Sequence, residues 1–236
     1  SIARWVASRF KTRAIDPATE VLPVNGTREG LFAITQALVT PNRSGGVVIP
    51  NPFYQIYEGA ALLANVEPLL VPATEATGHL ADYSILSDDD WERCEMLFIC
   101  TPGNPSGAVI PEAELHFLIE KALEHNVVLI SDECYSELYY DEERPPVGLL
   151  EAASTYGNTE LKQCLAFHSL SKRSNLPGLR SGFVAGDAEL IAQFKRYRTY
   201  HGCAMPLHHQ LASIAAWSDE DHVVKNRALY RAKFDA

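Results

Sequence analysis

Short apolar runs alternate with longer stretches of helical period along most of the chain, the pattern of an α/β fold built on a mainly parallel sheet. Strands are predicted over residues 20–24, 46–50, 66–71, 96–100, 127–131, 164–168 and 182–185, seven in all. The runs at 96–100 (MLFIC) and 127–130 (VVLI) are apolar throughout, so helices should cover both faces of the sheet. Helices are predicted over 28–39, 53–63, 112–125 and 188–199, then over 207–217 and 220–234 with no strand after them. The helix at 112–125 sets Leu115, Leu118, Ile119 and Ala122 on one stripe, behind Pro111 and with acids in its first turn. The expected fold class is therefore α/β, a three-layer α/β/α sandwich with a mainly parallel seven-stranded sheet. Residues 141–146 (DEERPP) read as an exposed loop.

Composition narrows the function classes. With 47% hydrophobic and 21% charged residues in 236, the chain is globular and not disordered. No apolar run approaches the ~18 residues of a membrane span, and no leader opens the chain. Thirty acidic against 20 basic residues give a net charge of -10, which repels phosphodiester backbones and argues against nucleic acid as a partner. The cysteines at 94, 100, 134, 164 and 203 are odd in number and lack a CxxC pair, which suits buried reduced thiols and a cytoplasmic location. The chain begins without Met and ends inside a helical pattern, so it reads as a piece of something longer.

Polar clusters follow the apolar strands, where ligands of open parallel sheets gather. Gly26, Thr27 and Arg28 open a helix, a place where free amides meet anions, although most such turns only cap. Neither GxxxxGK[ST] nor GxGxxG occurs, so nucleotide binding has no motif support. Asp132 ends an apolar strand and calls for a positive partner, with Tyr135 three residues on. Glu133 beside it leaves a metal pair open, though no His adjoins them. Lys172 follows a buried-looking strand and two serines, a setting in which a lysine can serve as a nucleophile, and Arg180 adds a second cation eight residues on. Asn104-Pro105 is a candidate cis peptide or an ordinary turn.

Taken in order, GTREGLF (26–32), NPFYQIYEGAA (51–61), TPGNPSGAVIP (101–111), SDECYSELYY (131–140) and SLSKRSNLPGLRSG (169–182) resemble the pyridoxal-phosphate aminotransferases of the aspartate aminotransferase fold type. FHSLSKRSNLPGLRSGFVAGD and YRTYHGCAMP are similar to the N-succinyldiaminopimelate aminotransferases. The resemblance implies that Lys172 forms the Schiff base with pyridoxal 5'-phosphate and moves the substrate proton, and that Asp132 holds the pyridine nitrogen protonated. Asn104 and Tyr135 would bond the ring hydroxyl and Tyr54 would stack on the ring. Gly26 with the Thr27 and Arg28 amides, Ser169, Ser171 and Arg180 would take the phosphate. It also implies amino-acid and 2-oxo-acid substrates, a homodimer with residues 199–206 near the partner's cofactor, and a large cofactor-binding domain over 1–206. Residues 207–236 would then lead toward a small domain whose carboxylate-binding arginine has no counterpart here. An apolar stripe through Val223, Leu229 and Tyr230 is expected to be left exposed. A carbon–sulfur lyase, a decarboxylase, or a non-catalytic effector domain of a regulator shares the same scaffold and stays open.

Overall fold

All seven expected strands form, and the central ones are buried on both faces. The computed structural model describes residues 1–202 and 204–235. The strands are β1 Val21–Val24, β2 Val47–Asn51, β3 Leu69–Pro72, β4 Met96–Cys100, β5 Val128–Asp132, β6 Cys164–Ser169 and β7 Gly182–Gly186. They make one sheet in the order β1-β7-β6-β5-β4-β2-β3, in which β7 runs antiparallel to both its neighbours and every other pair is parallel. The helices are α1 Ile2–Arg9, α2 Thr27–Leu38, α3 Ile56–Leu63, α4 Asp88–Arg93, α5 Glu112–His125, α6 Leu149–Tyr156, α7 Leu170–Arg173, α8 Ala188–Arg198, α9 Leu207–Trp217 and α10 Asp221–Phe234.

The period-two pattern of the strands sorts the core into two clusters. Met96, Phe98, Val128, Ile130, Leu165 and Phe167 point toward α2, α3 and α8, where Leu31, Ile34, Tyr57, Ala61 and Phe194 meet them. Leu97, Ile99, Leu129 and Ala166 point the other way, toward α1, α5, α6 and α9, and pack with Trp5, Leu115, Leu118, Leu149 and Trp217. Both clusters lie out of water, which makes the three-layer sandwich the sequence implied.

Several boundaries and elements differ from the sequence expectation. Strand β3 starts at Leu69 and not at residue 66, because Val66 still belongs to the turn closing α3: its amide bonds the Ala61 carbonyl at 3.0 Å and Asn65 takes φ 59. Helix α3 begins at Ile56, leaving Phe53 and Tyr54 in the preceding loop. Helices α1, α4, α6 and α7 were not expected. Helix α1 buries only Trp5 and Val6, too few for a periodic stripe, while α4 depends on a capping box between Ser87 and Asp90.

The exposed apolar stripe expected on the last helix holds for Leu229 but not for Val223. Val223 is buried and shares its face with Arg227, whereas Leu229 is exposed. Arg227 reaches back to the loop at 141–146, where Glu142 Oε2 accepts from its Nη2 at 2.8 Å. A charged tether therefore fixes the face of α10 that carries Val223, which was expected to be left exposed.

One buried cation ties three elements together. Arg173, 2% exposed, lies beside the tilted pair of Trp5 and Trp217, whose ring centroids are 4.8 Å apart, with its guanidinium 5.2 and 4.8 Å from the two. It donates to the Ala216 carbonyl at 2.9 Å and pairs with Glu220. Cation–π contact and charge-assisted bonding each contribute here. Arg173→Ala is expected to lose about 2–3 kcal/mol of stability, read by urea denaturation. Arg173→Lys should recover less than half of that, since a single ammonium cannot face both indoles and also bond the Ala216 carbonyl and Glu220 as the planar fork does.

Candidate active site

The carboxyl ends of the strands converge on one cavity of about 650 Å³. Strand β5 delivers Asp132 and, just beyond it, Tyr135; β6 and α7 deliver Ser169, Ser171 and Lys172. The β1–α2 turn brings Thr27 and Arg28, the β2–α3 loop Tyr54, and the β4–α5 loop Asn104, whose bond to Pro105 is cis. Arg180, held at φ 54, enters from the turn before β7. Ten of the eleven sequence-derived site residues thus line one wall or another of this space. The eleventh, Gly26, lies beside it: at φ +89 a Cβ would fall 2.1 Å from the Arg180 guanidinium. Only glycine lets that cation sit against the helix end.

One end of the cavity is built for an anion. The first amides of α2 have no acceptor within their own helix, and the dipole adds positive potential there. Ser169 Oγ donates to Ser171 Oγ at 2.9 Å and accepts from the Ser171 amide at 3.0 Å, so the two hydroxyls form one group. Arg180 is exposed and donates to the Pro177 carbonyl at 2.9 Å and the Asn25 carbonyl at 3.4 Å. These neutral acceptors leave its charge uncompensated. Thr27 Oγ1 lies 3.1 Å from Cys134 Sγ, and Arg28 Nε donates to the Tyr54 hydroxyl at 2.7 Å. Lys172 Nζ stands 5.6 Å from the centre of the Tyr135 ring.

The other end holds a buried acid. Asp132 Oδ2 accepts from the Tyr57 hydroxyl at 2.9 Å, and Oδ1 accepts from the Cys134 amide at 3.2 Å. Burial pushes this carboxyl above the usual range, and the donors from Cys134 and Tyr57 pull it back. The sequence called for a positive partner, yet among the described residues Asp132 meets only neutral donors. Tyr57 escaped the sequence reading. Its signal was the spacing Tyr54-x-x-Tyr57 at the start of a helix, which looks like packing until the fold sets the second phenol under the strand end.

Residues one step along from these point to the opposite face. Glu133 Oε1 accepts from Ser131 Oγ at 2.8 Å and from the Leu149 amide at 2.7 Å, capping α6, and its Oε2 lies 3.3 Å from His168 Nε2. The imidazole is packed among Trp5, Phe10 and Phe183. Burial raises the Glu133 carboxyl to about 7 and lowers His168 to about 3, so the imidazole is uncharged at neutral pH and the contact is no ion pair. Asp132 and Glu133 therefore cannot share a metal. Among the described residues no cluster of three or more His, Cys, Asp or Glu could hold one. Cys94, Cys100, Cys134 and Cys164 are free thiols, and Cys203 lies outside the described residues. No helix among the described residues is long and apolar enough to cross a membrane.

An anion cradle, a buried carboxylate and a lysine lining one cavity suit a phosphorylated molecule that carries a basic ring nitrogen. The profile of aminotransferase class I and II matches residues 1–235, and the chain belongs to that family, whose members use pyridoxal 5'-phosphate. An aminotransferase of Neisseria meningitidis is 46% identical with a TM-score of 0.93, covering 99% of this chain and 59% of its own. An LL-diaminopimelate aminotransferase of Maridesulfovibrio salexigens is 31% identical over 236 residues, 100% of this chain and 59% of the relative. A structure described as a probable N-succinyldiaminopimelate aminotransferase of Thermus thermophilus is 28% identical with a TM-score of 0.86, over 98% of this chain and 60% of that one. The chain thus spans under two thirds of the length of these relatives.

The buried pair behind the site gives a signed pH dependence. Folded Glu133 keeps its proton up to about pH 7, whereas a glutamate with the ordinary value of 4.5 has released it by then. The folded state binds the extra proton in that window, so Glu133 costs stability increasingly as pH rises from 4.5 to 7. His168 acts in the opposite sense, since an unfolded histidine charges near 6.5 and the folded one only near 3, which costs stability as pH falls through that range. Glu133→Gln removes the first effect alone. Its unfolding free energy, measured in urea and compared with that of the unaltered chain, should gain steadily between pH 4.5 and 7 and level off above. A constant difference across that window would mean that Glu133 titrates normally.

Proposed function

We propose that the protein to which this chain belongs is an aminotransferase that moves an amino group between a diaminopimelate-type amino acid and 2-oxoglutarate, with pyridoxal 5'-phosphate held in the cavity just described. The observation that carries this reading is the gathering of Lys172, Asp132, the paired serines and Arg180 around a single space. The Thr27 and Arg28 amides, Ser169, Ser171 and Arg180 would hold the phosphate, and Gly26 leaves room for that grip. Asp132 would face the ring nitrogen, Asn104 and Tyr135 the ring hydroxyl, and Tyr54 a ring face.

Pyridoxal phosphate, when bound, supplies an electrophilic carbon and a ring that draws electrons from the substrate α-carbon. The protein's part is orientation and proton transfer. Asp132, out of water and hydrogen-bonded, would hold the ring nitrogen and favour its protonated form by charge. Lys172 carries the amine that takes a proton from the substrate α-carbon and returns it on the other side of the reaction. Its place is fixed through the backbone: Asn226 Nδ2 on α10 donates to the carbonyls of Lys172 and Arg173 at 3.1 and 3.2 Å. His222 Nε2 adds a contact to Ser174 Oγ at 2.8 Å.

For the amino donor, N-succinyl-LL-2,6-diaminopimelate is our first reading, supported by the FHSLSKRSNLPGLRSG stretch and by the name of the Thermus thermophilus relative. The names of the LL-diaminopimelate aminotransferases favour the unacylated donor as second reading. A homodimer belongs to the same proposal: α9 presents Leu207 and Leu211 to the outside, 70% and 60% exposed, a strip that a second subunit would cover.

Two measurements test this. Borohydride treatment of the chain with pyridoxal phosphate, followed by peptide mass analysis, is expected to place the cofactor's mass on Lys172 and to place none after Lys172→Ala. Adduct on another lysine would remove Lys172 from its role. The full-length protein, supplied with N-succinyl-LL-diaminopimelate or LL-diaminopimelate, should form glutamate only when 2-oxoglutarate is present; release of ammonia without it would reject amino transfer.

A further inference from the structure

Two tyrosines, Tyr57 and Tyr83, are buried against the same strand residue, and their hydroxyls have different partners. Tyr83 donates to a backbone carbonyl, that of Phe98, at 3.1 Å, the usual way to satisfy a phenol in a core. Tyr57 stacks its ring on the Phe98 side chain, 4.8 Å between centroids and 11° between planes, and donates to a carboxylate, Asp132 Oδ2. Tyr57 is 0% exposed, so its ring has no room to turn away. The other buried groups around Asp132, the thiols of Cys100 and Cys134, are pushed up by burial and stay neutral. Tyr57 is thus the hydroxyl donor to Asp132 Oδ2, beside the Cys134 thiol, whose S–H is intrinsically the weaker donor.

We propose that Tyr57 is a positioning residue that acts through Asp132: its phenol fixes the carboxylate that faces the cofactor's ring nitrogen and so sets how tightly the chain grips that nitrogen. The inference rests on the reading of the cavity as a pyridoxal phosphate site. A donor on Oδ2 stabilises the charged carboxylate, stops it rotating about Cα–Cβ–Cγ, and leaves its remaining lone pairs for the ligand. Without that donor the buried acid would turn toward whatever else could bond it, or take up a proton and lose its attraction for a pyridinium.

The test uses equilibrium binding to the intact chain of two probes, pyridoxal 5'-phosphate and its 1-deaza analogue, which has a CH in place of the ring nitrogen. Tyr57→Phe should weaken pyridoxal phosphate about ten-fold, the order expected for loss of one hydrogen bond to a charged group, and change the analogue less than about two-fold. In the Asp132→Asn background, adding Tyr57→Phe should produce no further loss of pyridoxal phosphate affinity. Equal weakening of both probes, unchanged affinity for both, or full additivity with Asp132→Asn would overturn the proposal. So would loss of the thermal transition in ligand-free Tyr57→Phe, which would make the phenol a requirement of the core. Failure of the unaltered chain to bind pyridoxal phosphate would instead sink the reading of the site itself.

Discussion

The arrangement at the mouth of the sheet depends on a carboxylate that the fold takes out of water without giving it a cation. Asp132 sits at the end of the central strand β5, 5% exposed, between β4 and β6. Desolvation of a charge in such a place is costly, and two neutral donors offset only part of it. The remaining demand for positive charge is what, under the proposed function, a ligand with a protonated nitrogen would meet. At the anion cradle the logic is reversed: Arg180 and the α2 amides hold positive potential, and the hydrogen-bond acceptors of Arg180 among the described residues are the neutral carbonyls of Pro177 and Asn25. The net charge of -10 is no obstacle, because both ends of the site are decided by groups within hydrogen-bond reach and not by the field of the whole surface.

Much of this was legible in the sequence, for a physical reason. Strands buried on both faces are written as uninterrupted apolar runs, so a polar residue that ends such a run announces a position where the backbone leaves the core. Asp132, Ser169 and Asn25 are all of that kind, and the residues after them line the cavity or flank it. What stayed hidden depends on contacts between distant segments. Tyr57 gains its meaning from a partner 75 positions away, and Arg173 from two tryptophans near opposite ends of the chain. Helices α1 and α7 carry too few buried residues for a period to show. The last helix misled for a related reason: its buried face contains Arg227, which counts as polar in any pattern but is satisfied by Glu137 and Glu142.

Lys172 lies in a helix of a single turn, which has little stability of its own. The surrounding structure compensates from one side. Arg173 is clasped by the indoles and by the α9–α10 junction, Ser174 by His222, and the Lys172 carbonyl by Asn226. Three successive residues are thus held through their backbone or neighbours, while the lysine amine itself is left free to face the cavity.

The alternation along β5 and β6 has a consequence for how this protein can change. Asp132 and Ser169 face the cavity, and Glu133 and His168 face the core behind it, so adjacent residues lie in unrelated surroundings. The strand works like a reading frame of two. Deleting one residue within β5 would leave composition and hydrophobicity almost untouched, yet it would swap the two acids, turning the capping carboxyl toward the cavity and the cavity's acid into the aromatic core. Length variation in this lineage should therefore collect in the loops, and the four central strands should tolerate exchange of residues far better than any change in their number.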